Sequence, residues 1–483
     1  MRPHRTSFLA LTALAAALWL AGCASPAPID SSRLPAVPEA FKQASGPHAQ
    51  WAATPPAEAQ PRGAWWQAFN DPVLADLVDR AGRENGSVKA AATRLAQARA
   101  LLGRADAERL PQVGVSAGVQ RLSNPETGWQ PANLGSAGLG ASYEADLFGR
   151  LSGAAKAASL DAQAREALLQ SARLVAQADV AQGYFQLRAL DVERGIVGDT
   201  LTAHRNTLRL VESRQRAGDV AELEVARVRT ELAATESEAL ALDARRALLE
   251  HAIAVLVGEP ASRFAVAPAA WDGALPVVPP GVPSTVLARR PDVAAALGQM
   301  QAAQQRVGVA EAAWFPSLSL TASGGYASPE LSDVFTWSAR SWAVGALLSL
   351  PIFDGGRRQA GVDAAQAELE GGLVAYRQQV LVALREVEDE LAALRLLGEQ
   401  AQAQARAVDS AALATRLSAS RYRNGLVSQL ELLDAQRSEL RSRRQAVQVK
   451  VAQYQATIGL IRALGGGWEP ARPADGVAGA GLS

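Results

Sequence analysis

The chain has 483 residues and a single cysteine, Cys23, so no disulfide can form within it. Its four histidines, His4, His48, His204 and His251, are scattered and include no His-x-x-x-His pair of the kind that holds catalytic zinc. Lys and Arg number 48, as do Asp and Glu, so there is no basic excess and no nucleic-acid-binding surface is expected. Aromatic residues make up only 5 %. Stretches rich in Ala, Leu, Glu, Gln and Arg point to extended helices with thin seams rather than one thick core. Beyond residue 22 no apolar run reaches the roughly 18 residues of a membrane-spanning helix. Gly355-Gly356 precedes a helical pattern but lacks the Lys and Ser/Thr of a phosphate-binding loop. No catalytic constellation or cofactor motif is present, and an enzyme is not expected.

What is present begins with a signal-peptide pattern over residues 1–22. Arg2 and Arg5 give the positive start, and Phe8 to Leu20 the apolar core. Leu20-Ala21-Gly22-Cys23 resembles a bacterial lipobox. That resemblance implies cleavage before Cys23, a diacylglycerol thioether on its sulfur and an acyl chain on the new amino terminus. Several acyl chains hold a membrane as one cannot. Ala24, rather than Asp, follows the cysteine. By the same resemblance, this favours export to the outer membrane. An incidental cysteine in a signal peptide cut elsewhere is the alternative.

The body of the chain is a duplication. Leu110-Pro111 matches Phe315-Pro316, and Phe148-Gly149-Arg150 matches Phe353 to Arg357, with both the prolines and the phenylalanines 205 residues apart. Ser213 to Gly218 matches Ser420 to Gly425 at an offset of 207. A repeat of this size constrains the fold strongly. The chain thus divides into a signal peptide (1–22), a lipidated tether (23–70), a first repeat (71–258), a Pro-rich linker (259–283), a second repeat (284–465) and a flexible tail (466–483). Each copy predicts a helix of about 30 residues ending at the proline, from Leu74 to Leu110 and from Ser284 to Phe315. Two short alternating segments follow. Next come a very long helix (Ser152 to Arg216; Gly361 to Arg423), a glycine and a further helix. A helix of about 60 residues is roughly 90 Å long.

The alternating segments place Val113, Val115, Ala117 and Val119 on one face, and Gln112, Gly114, Ser116, Gly118 and Gln120 on the other. Ala137 to Asp146, Ser317 to Ser323 and Ser341 to Leu350 alternate likewise. Period two over about ten residues marks a transmembrane barrel strand. A half-buried strand of a soluble sheet alternates in the same way. Four strands cannot close a barrel alone, because the smallest have about eight. A barrel shared by several protomers resolves the shortage.

In the second long helix Val380, Leu384, Val387, Leu391 and Leu394 follow coiled-coil spacing. Glu386, Glu388, Asp389 and Glu390 lie off that seam and are expected in solvent. Asn424-Gly425 is a helix stop, and Ser428 to Glu431 reads as a capping box. Asp219 to Glu222 offers a weaker start. Each copy therefore predicts a helical hairpin whose tip lies far from the strands.

Five motifs resemble the TolC-type outer-membrane efflux factors, in particular their lipoprotein (NodT-like) branch. They are Trp65-Trp66-Gln67-Ala68-Phe69-Asn70-Asp71-Pro72, Asp146 to Arg150, Arg289-Arg290-Pro291-Asp292-Val293, Pro351 to Arg357, and Tyr422 to Gly425 with Leu432 to Gln436. The likeness spans about residues 60 to 465. It implies a mainly α fold with transmembrane β: a long coiled-coil helical barrel, four barrel strands per protomer, and a homotrimer with one 12-stranded β-barrel. It also implies an outer-membrane location with a large periplasmic extension. The partners it implies are a periplasmic adaptor (membrane fusion) protein and an inner-membrane RND-type pump, with passive conduction of drugs, toxic compounds or metal ions.

The family closes its tube at the periplasmic tips. By resemblance, Leu430 and Asp434 are constriction positions, four apart on one helix face. Tyr422 and Glu224 match positions of interhelical hydrogen bonds in the closed state, and Glu431 lies beside them. Val427 departs from the pattern, standing where some members carry an arginine; Arg421, Arg423 or Arg227 could substitute. Arg227 is also the first-copy counterpart of Asp434. A conduit for type I protein secretion and a coiled-coil surface scaffold without a pore are the alternative functions.

Overall fold

The computed structural model describes residues 31–44, 63–123, 130–271, 273–278 and 283–466. The signal peptide, Cys23, much of the tether and the tail beyond Gly466 lie outside them. The elements follow the duplicated plan. In the first copy they are α1 (Pro72–Glu84), α2 (Gly86–Ala107), β1 (Gln112–Leu122), β2 (Ala132–Ala145), α3 (Arg150–Arg216) and α4 (Glu222–Leu256). The second copy has α5 (Pro283–Arg289), α6 (Pro291–Ala312), β3 (Ser317–Ser328), β4 (Arg340–Ser349), α7 (Arg357–Arg423) and α8 (Gln429–Ala463). Helices α3 and α7 have 67 residues each and α4 and α8 have 35 each.

The predicted 30-residue helices are each broken in two. In the first copy the break is Asn85, whose side-chain oxygen accepts from the Ser87 N–H at 2.9 Å and so restarts the helix. Its Nδ2 donates to the Leu256 carbonyl at 2.9 Å. In the second copy Pro291 removes an N–H and pushes the residue before it out of helical geometry. That residue, Arg290, donates to the Ala463 carbonyl at 3.0 Å. Asn85 and Arg290 are repeat equivalents, and so are Leu256 and Ala463. Two different side chains therefore make the same closure. Beyond each closing helix stands a glycine with positive φ, Gly258 at 76° and Gly465 at 89°. A Cβ there would meet the carbonyl oxygen of Glu84 at 2.8 Å or of Arg289 at 2.7 Å, so glycine is required twice over.

The chain forms two compact units, each drawn from both copies. One comprises residues up to Pro35, Arg94–Glu166 and Ala295–Gln378; the other comprises Ala36–Thr93, Ala167–Ala294 and residues from Gln379 onward.

The first unit carries the sheet. Its four strands are antiparallel in the order β1-β2-β3-β4. The register keeps parity across every ladder. Val115 faces Leu139, which faces Gly324, which faces Trp342. Ala141 faces Val113 on one side and Ala322 on the other, and Ala322 faces Val344. The apolar set of all four strands thus shares one face, and that face is open: Val115 is 80 % exposed and Trp342 77 %. Gly114, Gly140 and Ser323 line up on the opposite face. Where each strand pair runs into a long helix, an aspartate caps the new helix. Asp146 accepts from the N–H groups of Leu151 and Ser152, and Asp354 from those of Gly356 and Arg358. Gly149, Gly355 and Gly356 take positive φ there, so the glycines make a strand-to-helix turn.

The second unit gathers the scarce aromatics. Trp66, Phe69, Tyr184, Phe185, Trp271 and Tyr454 form one cluster, with Phe185 and Tyr454 4.5 Å apart and Trp271 and Tyr454 4.8 Å apart. Trp271 belongs to the Pro-rich linker, which is therefore docked. Part of the tether is docked as well: Phe41 is buried with Val286, Val387, Leu391 and Leu460. The coiled-coil seam holds, with Val380, Val387 and Leu391 buried.

The expectation that the acidic residues beside the seam are solvated is corrected, except at Asp389. Glu386 accepts from Arg290 at 2.7 Å. Glu388 accepts from the N–H groups of Lys42 and Gln43. Burial raises the pKa of Glu390.

Arg290 is 5 % exposed and also pairs with Asp292. Arg290→Ala strands two half-buried carboxylates and should cost about 3 kcal/mol. Thermal unfolding followed by circular dichroism should show a clearly lower midpoint, and an unchanged one refutes the closure role.

Candidate functional site

The gate residues singled out in the sequence lie in the second unit, around two helix turns of the same build. After α3, Gly218 has φ 82° and the Asp219 N–H reaches back to the Arg214 carbonyl at 2.9 Å. After α7, Gly425 has φ 72° and the Leu426 N–H reaches the Arg421 carbonyl at 2.9 Å. Both are Schellman closures, which satisfy the last carbonyls of the helix. Ser428 then caps α8, its hydroxyl accepting from the Glu431 N–H at 3.3 Å. The expected start at Asp219 is corrected: Ala221 precedes α4 and makes no side-chain cap.

Leu430 is exposed, and the Asp434 side chain is 61 % exposed one turn later on the same face of α8. Glu431 is exposed and Glu224 half-exposed. Tyr422 is buried, with the Arg214 guanidinium 5.4 Å from its ring centre. Its hydroxyl has no hydrogen-bond partner among the described residues, so it does not bond to Glu224 here. Burial holds the phenol pKa above its usual value; the Arg214 charge opposes that shift and the Glu224 charge adds to it. Among the described residues Arg421, Arg423 and Arg227 form no ion pair.

The arginine that does engage Asp434 is Arg437, at 3.2 Å. Arg437 also grips Glu231 of α4 with two nitrogens, one of them at 3.0 Å. One heptad on, Arg444 of α8 pairs with Glu238 of α4 and with Glu193 of α3 at 3.3 Å. The structure thus ties the hairpin of one copy to that of the other by two ion-pair rungs. Neither Arg437 nor Glu231 stands out alone. The available signal is two acids on α4 and two arginines on α8, each pair seven apart, as side-by-side helices require.

Between the rungs lies a cleft of ≈ 360 Å³. His204 of α3 reaches it and is 3 % exposed, its Nδ1 buried without a partner. Glu231, Thr235 and Glu238 of α4 and Gln436, Arg437, Arg441 and Arg444 of α8 line the same cleft. Burial holds the His204 pKa below its usual value; the Glu231 charge opposes that shift and the Arg437 charge adds to it. The Arg437 hydrogen bond holds the Glu231 carboxyl below its usual range.

The match to known proteins agrees with this architecture. The model of the family described as outer membrane efflux protein matches residues 77–259 and 282–466. The chain belongs to this family. It is similar to the pyoverdine export outer membrane protein OpmQ of Pseudomonas putida, 35 % identical over 428 residues, which span 86 % of this chain and 91 % of that protein. The probable outer membrane lipoprotein SilC of Salmonella typhimurium is 29 % identical over 462 residues, 95 % of this chain and 99 % of its own. Among solved structures the outer-membrane channel OprN superposes with a TM-score of 0.84 at 30 % identity, over 92 % of this chain and 100 % of that one. The family is one of efflux channels rather than enzymes.

A histidine held neutral by burial binds fewer protons folded than unfolded. Its contribution to stability is full above a pH of about 6.5 and is lost as the pH falls below that value. The thermal midpoint should therefore drop on going from about pH 7 to pH 5, and drop less steeply in His204→Leu. Parallel pH profiles for the two proteins would exclude the buried histidine as the cause.

Proposed function

We propose that the protein is the outer-membrane channel of a tripartite efflux system, conducting small molecules passively from a periplasmic adaptor and an inner-membrane RND-type pump to the exterior. The observation that carries this reading is the sheet. Its apolar face is continuous across four strands of membrane-crossing length, and β1 and β4 each leave one edge unpaired. A strand edge cannot be left open in lipid, since its backbone groups would have no partner. Three copies, contributing four strands each, close a 12-stranded barrel, and the helices of the three form the periplasmic tube. The exported compound is a drug, a toxic compound or a metal ion; the pump supplies both energy and selection. OpmQ, by its name, exports pyoverdine.

In this reading Leu430 and Asp434 line the periplasmic constriction. Glu431, Tyr422 and Glu224 belong to the same gate. Support comes from the exposure of Leu430 and Asp434 on one helix face and from the tether of Asp434 to Glu231 through Arg437. A ring of aspartates at a narrow neck favours cations. The lipid at Cys23, a diacylglycerol and an N-acyl chain, adds an anchor in the outer membrane, in keeping with the lipoprotein name of SilC. No other cofactor is required.

Purified protein in planar bilayers should conduct, and the pore-free scaffold predicts silence. Asp434→Ala should raise conductance several-fold and let large antibiotics into cells; unchanged conductance and uptake would remove Asp434 from the gate. Cys23→Ser should abolish lipid labelling but leave the protein in the outer-membrane fraction, because the barrel is the stronger anchor. Its complete release into the periplasm would overturn that ranking.

A further inference from the structure

Two of the contacts that join one copy of the repeat to the other in the first unit lie at the sheet and at its junction with the helices. The first is the β2–β3 ladder, in which Leu139 faces Gly324 and Ala141 faces Ala322. The second is the stack of Phe148 on Phe315, with ring centres 4.8 Å apart. In each, the end of copy one meets the start of copy two. The duplication supplies a second set of the same surfaces: the end of copy two and the start of copy one. Moved by the 205-residue offset, Phe148 becomes Phe353 and Phe315 becomes Leu110. Among the described residues both stand open. Phe353 is 91 % exposed, Leu110 62 % and Ile352, beside Phe353, 93 %. The free edges of β4 and β1 are likewise the transposed equivalents of β2 and β3.

We infer that β4 of one copy pairs with β1 of a second copy in the transposed β2–β3 register, Val344 opposite Val119 and Leu348 opposite Val115, with Phe353 packed on Leu110 of the partner subunit. This rests on the trimeric channel reading and specifies its interface residue by residue. The side-chain chemistry supports it. Ala346 then faces Ala117, and Leu350 faces Val113, so the apolar face continues across the junction without a change of parity. Gly345 faces Gly118 on the opposite face. At one place the two ladders must differ. Gly325 lies so close to Ala137 and Gly138 that a Cβ on it would fall 2.3 Å from the Ala137 oxygen. The transposed equivalents of Gly138 and Gly325 are Ala343 and Gln120, which need more room.

The competing registers are defined by the hairpins themselves. Ala117 faces Ala137 in the first hairpin, whereas its equivalent Ala322 faces Val344, the equivalent of Leu139, two residues further on. A shift of two keeps parity and is the alternative to exclude.

Directly opposed residues bring their Cα atoms to about 5 Å, within the range a disulfide spans, whereas a shift of two does not. The full-length chain is therefore made as Val119→Cys/Val344→Cys, as Ala117→Cys/Val344→Cys and as Arg121→Cys/Val344→Cys, with each single variant as control. Outer membranes are oxidised mildly and run without reductant. The first pair should give covalent dimers and trimers at least ten-fold above the shifted pairs and the singles. Stronger cross-linking in either shifted pair overturns the register. Phe353→Ala and Leu110→Ala should each lower the temperature at which trimers dissociate in detergent; if neither does, the aromatic contact is wrong. Planar-bilayer conductance of the reduced variants separates the levels. Conducting channels without the expected cross-link refute this interface but leave the channel standing. Monomers that neither conduct nor cross-link refute both.

Discussion

Each copy of the repeat is shut by one hydrogen bond that runs nearly its whole length in sequence. A side chain at a helix break donates to a carbonyl in the last turn of the closing helix, from Asn85 to Leu256 and from Arg290 to Ala463. The bond serves both ends. It satisfies a carbonyl that helix geometry leaves unpaired, and it fixes the break that turns one predicted helix into two. The glycine after each closing helix must then sit against the backbone of the residue before the break, where no other side chain fits. What surrounds the bond differs. Asn85 is neutral and buried; Arg290 brings a charge, which draws in Asp292 and, from beside the coiled-coil seam, Glu386. One copy shows what geometry demands, and the other shows how differently that demand can be met.

Much of this was legible in the sequence. The strands were visible because period two is local: Val113, Val115, Ala117 and Val119 need no partner to announce a face. The hairpin turns were visible because glycine after a long helical run has few other uses, and the 205-residue offset fixed the order of elements. The helix break at Asn85 was hidden, since an asparagine inside a helical pattern is only mildly unfavourable and its partner lies 171 residues away. The docking of Phe41 and Trp271 was hidden for the same reason. Composition made both stretches look like connectors, and only the packed core shows where their rings go. At the candidate site, resemblance located Leu430, Glu431, Asp434, Tyr422 and Glu224. It did not locate Arg437, the residue that connects Asp434 to the other copy, because an arginine on a helix surface has no signature until the opposing Glu231 is in place.

The two copies differ where their hairpins meet. Arg227 and Asp434 occupy equivalent positions with opposite charge, and the rungs from Arg437 and Arg444 to Glu231 and Glu238 have no mirror image. A duplicated scaffold therefore supports a junction that is not duplicated. Such asymmetry lets one hairpin hold charge for the other while both keep the same helical stop.

The scarcity of aromatic residues has an optical corollary. Trp66 and Trp271 are sealed in the core of the second unit, while Trp337 and Trp342 stand almost fully open on and beside the sheet. In a variant that keeps only these four of the ten tryptophans, they would form two spectrally distinct populations. The first emits to the blue and ignores aqueous quenchers. The second changes colour as the surroundings of the sheet pass from water to hydrocarbon. Such a variant would carry paired fluorophores, one reporting that the helices are packed and the other that the strands have found lipid.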